Sequence, residues 1–194
     1  TLKCCCGILQ PDSGEVRVDG ISVREDPLAA KRKLAYLPDN PDLYQYMTGI
    51  QYLDFIADIF GVSDAARAER VGVYGERFGL TGALAQPIGD YSHGMKNKMQ
   101  MLVNIIAQPN ILLLDEPLTS LDVVVAEEMK NLLRSLKDGR ITIFSTHILD
   151  LALDLCDEIV LLSHGELEVV EKSNLDDHAF KEKIIAALKE ESYA

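Results

Sequence analysis

The sequence is short of basic charge, of long apolar runs and of organised cysteine, and each shortage narrows what the chain can do. Its 19 Lys and Arg face 31 Asp and Glu, a formal charge of -12. Most of the surface therefore repels phosphate backbones, and no nucleic acid is expected as the main partner. Apolar runs such as Ile111 to Leu114 and Ile159 to Leu162 are far below the roughly 20 residues of a membrane-spanning helix. No direct membrane insertion is expected. Of the four cysteines, three are adjacent (Cys4, Cys5, Cys6) and one, Cys156, is remote, which is neither a disulfide framework nor a zinc spacing. Reduced core thiols in the cytosol are the expectation. Thr1 to Leu9 also lacks the charged start, long apolar segment and small-residue cleavage site of a signal peptide.

What is present is ordinary globular material. Hydrophobic residues make 47% and charged residues 26% of 194, enough for one sizeable core and too few residues for two full independent domains. Leu2 to Leu9 reads as the last turns of a helix, stopped by Pro11-Asp12-Ser13-Gly14. Alternating apolar residues around Asp19-Gly20 predict a hairpin over Glu15 to Val23. A short strand, Leu34 to Leu37, enters a loop whose Pro38 and Pro41 forbid a continuous helix.

Helical periodicity follows Thr48 as far as Gly61, and again over about Ala65 to Phe78. Ser92 is placed to cap a helix running to about Gln108, with Met95, Met99, Leu102 and Ile106 on one face. Strand then alternates with helix: Ile111 to Leu114, Val124 to Lys137, Ile141 to Ser145, Ile148 to Leu155, and Glu158 to Leu162 turning at His164-Gly165 into Glu166 to Val170. Such alternation predicts a parallel sheet covered on both faces. Asp176 to Glu191 reads as a final surface helix.

Chemistry concentrates where Ile111-Leu112-Leu113-Leu114 ends in Asp115-Glu116-Pro117. The carboxyl end of a parallel strand is where open α/β sheets place ligands. An Asp there can hold Mg²⁺ on a phosphate, and a Glu beside it can orient and deprotonate water. Two carboxylates opening a turn before Pro117 is an equal reading of the dipeptide alone. Ser120-Leu121-Asp122 follows, and the next strand ends in Thr146-His147, a histidine that can contact a γ-phosphate. Upstream, Tyr91-Ser92-His93-Gly94-Met95 sets a Ser and a Gly at a helix N-terminus, a geometry that favours anions, although most such serines are caps and nothing more.

In order and spacing, Tyr91 to Met95, Ile111 to Pro117, Ser120 to Asp122 and His147 resemble the signature motif, Walker B, D-loop and switch histidine of ABC (ATP-binding-cassette) nucleotide-binding domains. Gly7 to Val16 and the hairpin after it resemble the stretch following that family's first helix. The resemblance implies an α/β fold: a P-loop NTPase (RecA-like) parallel-sheet core over 1–48 and 107–194, with an antiparallel β hairpin, and an inserted all-helical signature subdomain over 49–106. It implies ATP as ligand and Mg²⁺ on Asp115, with Glu116 as general base and His147 on the γ-phosphate. Ser92 and Gly94 would bind a partner's nucleotide, Asp122 would bridge to that partner, and the domains would work as a homodimer or heterodimer. A transmembrane permease subunit would hold the pair peripherally on the cytoplasmic face of the cell membrane. Hydrolysis of ATP to ADP and phosphate would drive transport.

Three departures shape the expectation. Tyr91, His93 and Met95 differ from the usual L-S-G-G-Q, as in bacterial ABC-2-type exporter subunits, and leave Ser92 and Gly94 as the matching pair. Asp39 stands where a Gln usually reaches Mg²⁺ and the permease; metal ligand and plain turn former are equal readings. No G-x-x-x-x-G-K-[ST] occurs, although such a loop supplies most of the grip on phosphates. The fold is therefore expected to be N-terminally truncated, Thr1-Leu2 resembling the residues just after that Lys, and these residues alone are expected to be inactive. The rival is a non-catalytic interaction module that never had the loop. An ABC ATPase of ribosomes or DNA fits less well, since neither a second cassette nor a long coiled-coil insertion occurs in the sequence.

Overall fold

The computed structural model describes residues 1–40, 42–119, 121–137, 139–170, 181, 182 and 184. Ser120 and almost all of the helix expected over Asp176 to Glu191 lie outside them. The chain falls into two units, Thr1–Ser145 and Thr146–Ala194.

In the first unit, α1 (Leu2–Cys5) is shorter than the apolar run predicts. Gly7 ends it at φ +67°, and a Cβ there would meet Val23 Cγ1 at 2.7 Å. Close approach of the hairpin thus overrides helical periodicity. Strands β1 (Arg17–Val18) and β2 (Ile21–Ser22) pair antiparallel about Asp19-Gly20, both at positive φ, as the Asp-Gly signal predicts. Periodicity does not single out α2 (Pro27–Lys33), yet Asp26 caps it by accepting from the Ala29 amide at 3.0 Å, with Pro27 in the first turn.

The central sheet runs β3 (Leu34–Leu37), β4 (Ile111–Asp115), β5 (Ile141–Ser145), all parallel. Cys6, Val18, Val23 and Ala30 cover one face of it at Leu34 and Leu113. This cover reaches only β3 and β4: Ile141 and Ile143 of β5 stay 59% and 48% exposed. Among the described residues, β5 is therefore less covered than β3 and β4.

Between β3 and β4 lie α3 (Gly49–Ile59), α4 (Asp64–Arg77) and α5 (His93–Ile105). Thr48 and Gln51 form a reciprocal capping box at the start of α3. Arg67 of α4 pairs with Asp54 and Asp58 of α3, while Arg70 Nη1 donates to the Ile106 carbonyl at 2.8 Å, tying α4 to the end of α5. Helix α6 (Val123–Ser135) follows β4. None of the four cysteines is in a disulfide. Burial pushes the Cys6 thiol up to about 11, so it stays protonated among apolar neighbours.

In the second unit, α7 (Leu149–Leu155) precedes β6 (Ile159–Ser163) and β7 (Glu166–Val170), which pair antiparallel. Their turn, His164-Gly165, has both residues at positive φ, as the dipeptide predicts. Leu149, Leu153, Ile159 and Leu161 pack around buried Val170 and Ile184.

Candidate functional site

The two carboxylates of the Ile111–Pro117 segment sit at the carboxyl end of β4. Register places Ser145 of β5 directly opposite Asp115, and Ser145 Oγ donates to Asp115 Oδ1 at 2.7 Å. Ser145 Oγ also accepts from the Glu116 amide at 3.1 Å, so one hydroxyl serves both acidic residues. Tyr36 of β3 donates from its hydroxyl to Asp115 Oδ2 at 3.0 Å. Burial first, and then this hydrogen bond, push the Tyr36 hydroxyl well above the ordinary tyrosine range, so it remains a donor.

Glu116 leaves the strand at φ +49°, a left-handed conformation uncommon outside glycine. That bend turns its side chain away from the alternation of β4. Thr119 closes the turn twice, its amide reaching the Glu116 carbonyl at 3.1 Å and its hydroxyl the Glu116 Oε2 at 2.8 Å. Tyr36, Ser145 and Thr119 are not candidates on sequence grounds, because a single hydroxyl residue in a strand or turn carries no pattern. Parallel register brings Tyr36 and Ser145 to Asp115, and the tight turn brings Thr119 to Glu116.

Beyond the turn, Asp122 caps α6, its Oδ1 accepting from the Val124 and Val125 amides at 3.1 and 3.0 Å. Ser92 likewise caps α5, its Oγ accepting from the Met95 amide at 3.2 Å. The two caps are linked by packing: a Cβ on Gly94 would lie 3.1 and 3.2 Å from the two Cγ atoms of Val125. Tyr91 is buried and donates to the Ala83 carbonyl at 2.7 Å, anchoring the segment before Ser92 from inside. His93 is exposed at the first position of α5.

Asp39 lies exposed on the loop after β3, where its Oδ2 accepts from Asn40 Nδ2 at 3.0 Å. A groove of about 370 Å³ runs past this loop, lined by Tyr36, Pro38, Leu43, Tyr52, Phe60 and Gln100 among others. Gln100 is 5% exposed and its Oε1 has no hydrogen-bond partner. Tyr44 stacks edge-on against Tyr52 and Phe55 nearby. His147 belongs to the second unit, exposed in a turn where Thr146 Oγ1 accepts from the Ile148 amide at 3.1 Å.

The donor set at Asp115 suits Mg²⁺ brought in on phosphates. Each carboxylate oxygen accepts one O–H from the protein and keeps acceptor capacity for metal or metal-bound water. Among the described residues no group of three or more His, Cys, Asp or Glu could hold a metal ion by itself. Mg²⁺ is commonly held by one or two carboxylates plus substrate phosphates instead. No described helix is long and apolar enough to cross a membrane.

Residues 1–119 match the family model described as ABC transporter. The chain is 32% identical over 202 residues to the uncharacterized ABC transporter ATP-binding protein YxlF of Bacillus subtilis, covering 100% of this chain and 67% of that protein. It is 29% identical over 168 residues to the ABC transporter ATP-binding protein NatA of the same organism, covering 86% and 68%. Other relatives are covered to very different extents, from 81% of one to 50% of another and 29% of a third. The solved structure of the ATP binding subunit of an ABC transporter superposes with a TM-score of 0.81 at 26% identity, over 97% of this chain and 79% of that one. The fold is thus that of the P-loop NTPase ATP-binding subunits, and this chain belongs to the ABC transporter ATP-binding family.

Proposed function

We propose that this chain carries the water-activating and signature parts of an ATP-hydrolysing transporter subunit, and that it couples nucleotide-driven dimerisation to a membrane permease. The observation that supports this reading best is the Asp115–Glu116 pair, held at the end of β4 by hydroxyls from Tyr36, Ser145 and Thr119. Asp115 would hold the Mg²⁺, which when bound neutralises charge on the triphosphate. Glu116 orients the attacking water and takes its proton. Thr119 fixes one oxygen of the Glu116 carboxylate, and the Ser145 contact holds the Glu116 peptide in its unusual conformation. His147 contacts the γ-phosphate and reports its presence.

Ser92 and Gly94, at the N-terminus of α5, bind the nucleotide of a second copy or a homologous partner, and Asp122 bridges to that partner. The groove beside the Asp39 loop receives a permease segment, its walls being largely apolar. Asp39, engaged with Asn40, acts in this loop's coupling rather than as a metal ligand. Held this way, the subunit is peripheral to the membrane, on its cytoplasmic face.

Replacing Glu116 by Gln, in a chain that also carries a phosphate-binding loop, lowers turnover by about 10²- to 10⁴-fold and leaves ATP binding intact. Turnover equal to the parent's would remove Glu116 from the mechanism. A second reading is a non-catalytic module that lends only its signature half to a competent partner. Both readings have the 194 residues alone hydrolysing little or no ATP. They part when the loop is supplied: hydrolysis then appears under the first and stays absent under the second.

A further inference from the structure

We infer that Tyr36 is a positioning residue for the Asp115 carboxylate, and that through it, rather than through Asp39, the strand leading to the coupling loop is tied to the metal site. The inference rests on the reading of Asp115 as the Mg²⁺ ligand. Its ground is geometric. In the parallel register Tyr36 lies opposite Leu113, two residues before Asp115 and on the same face of the sheet. Two residues of strand rise about 6.6 Å, and a phenol is long enough to cover that distance along the neighbouring strand. The hydroxyl arrives 3.0 Å from Asp115 Oδ2. Ser145, directly opposite Asp115, needs only a short side chain to reach Oδ1 at 2.7 Å.

Each carboxylate oxygen is thus pinned by a hydroxyl from a different flanking strand, which fixes the rotation of the carboxylate about its own axis. A residue that orients a ligand in this way governs how well the ligand meets its metal. Tyr36 also does so without charge, whereas a second carboxylate beside a triphosphate would add repulsion. Asp39 turns instead to Asn40 at 3.0 Å. Tyr36 is followed by only one more residue of β3, Leu37, before Pro38 opens the loop. Beside the backbone pairing of Leu37 with Leu114, the Tyr36 hydroxyl therefore gives the loop a direct side-chain link to the Asp115 carboxylate.

The test is Mn²⁺ binding in the presence of ATP to a chain that carries these residues together with a phosphate-binding loop, followed by electron paramagnetic resonance, in the parent and in Tyr36→Phe, Asp39→Asn and Asp115→Asn, each checked for fold by circular dichroism. Tyr36→Phe keeps the ring that packs against the core cluster around Cys6 and Leu113 and removes only the hydroxyl. It is expected to weaken Mn²⁺ about tenfold, while Asp39→Asn binds as the parent does and Asp115→Asn loses binding. Parent-like affinity in Tyr36→Phe, or an equal loss in Asp39→Asn, overturns the inference; a lower melting temperature with unchanged Mn²⁺ affinity marks Tyr36 as structural only and overturns it as well. If Asp115→Asn binds like the parent, or the parent binds no Mn²⁺, the metal reading itself fails and the inference with it. Loss in Asp115→Asn with none in Tyr36→Phe sinks the inference alone.

Discussion

At the scale of single residues, the site is built largely from hydroxyls serving carboxylates and from glycines that admit close neighbours. Ser145 shows the economy of this arrangement, donating to Asp115 and accepting from Glu116 with one oxygen. Gly94 shows the second principle. Its place in the first turn of α5 would ordinarily make Ala more stabilising by up to about 1 kcal/mol, but the Val125 methyls are already at 3.1 and 3.2 Å from where a Cβ would stand. Val125 sits at the capped start of α6, so the steric term is taken to win. Gly94→Ala is expected to destabilise the parent by about 1 kcal/mol and to stabilise a Val125→Ala background, measured by chemical unfolding. The same sign in both backgrounds would show that packing against α6 does not fix this glycine.

At the scale of elements, the decisive feature is the groove between the Asp39 loop, α3 and α5. Gln100 lines it and keeps a buried oxygen without a hydrogen-bond partner, a loss of about 1–3 kcal/mol relative to a satisfied or apolar side chain. Gln100→Leu, similar in size, should raise the unfolding midpoint of the chain by itself. A fall in stability would mean that Gln100 already has its partner in solution.

Elements with local signals were readable from the residues. The Thr48 and Ser92 caps, the Asp19-Gly20 and His164-Gly165 turns and the runs Leu34–Leu37, Ile111–Asp115 and Ile141–Ser145 stand in the structure where alternation and capping chemistry put them. Helix α1 was overestimated because nothing local shows that Val23 will press on Gly7. Apolar periodicity does not mark helix α2, although Asp26-Pro27 is a start signal in its own right. The carboxylates Asp115 and Glu116 were legible as a motif. Their hydroxyl partners were not, since Tyr36 and Asp115 are 79 positions apart in sequence and meet only through strand register.

At the scale of the molecule, the proposed chemistry needs more than one copy. Ser92, Gly94 and Asp122 are exposed or half-buried on the first unit, arranged around the packed starts of α5 and α6, and the proposal has them complete a site on a partner. Catalysis shared between copies makes specific activity depend on concentration, as self-association is a mass-action equilibrium. The measurement that bears most directly on the whole account is therefore ATP turnover per subunit as a function of protein concentration, for a chain that carries these residues together with a phosphate-binding loop, alongside its Glu116→Gln variant. The account predicts a specific activity that climbs with concentration to a plateau in the parent and stays near zero throughout in the variant; a specific activity independent of concentration, or one that Glu116→Gln leaves unchanged, would contradict it.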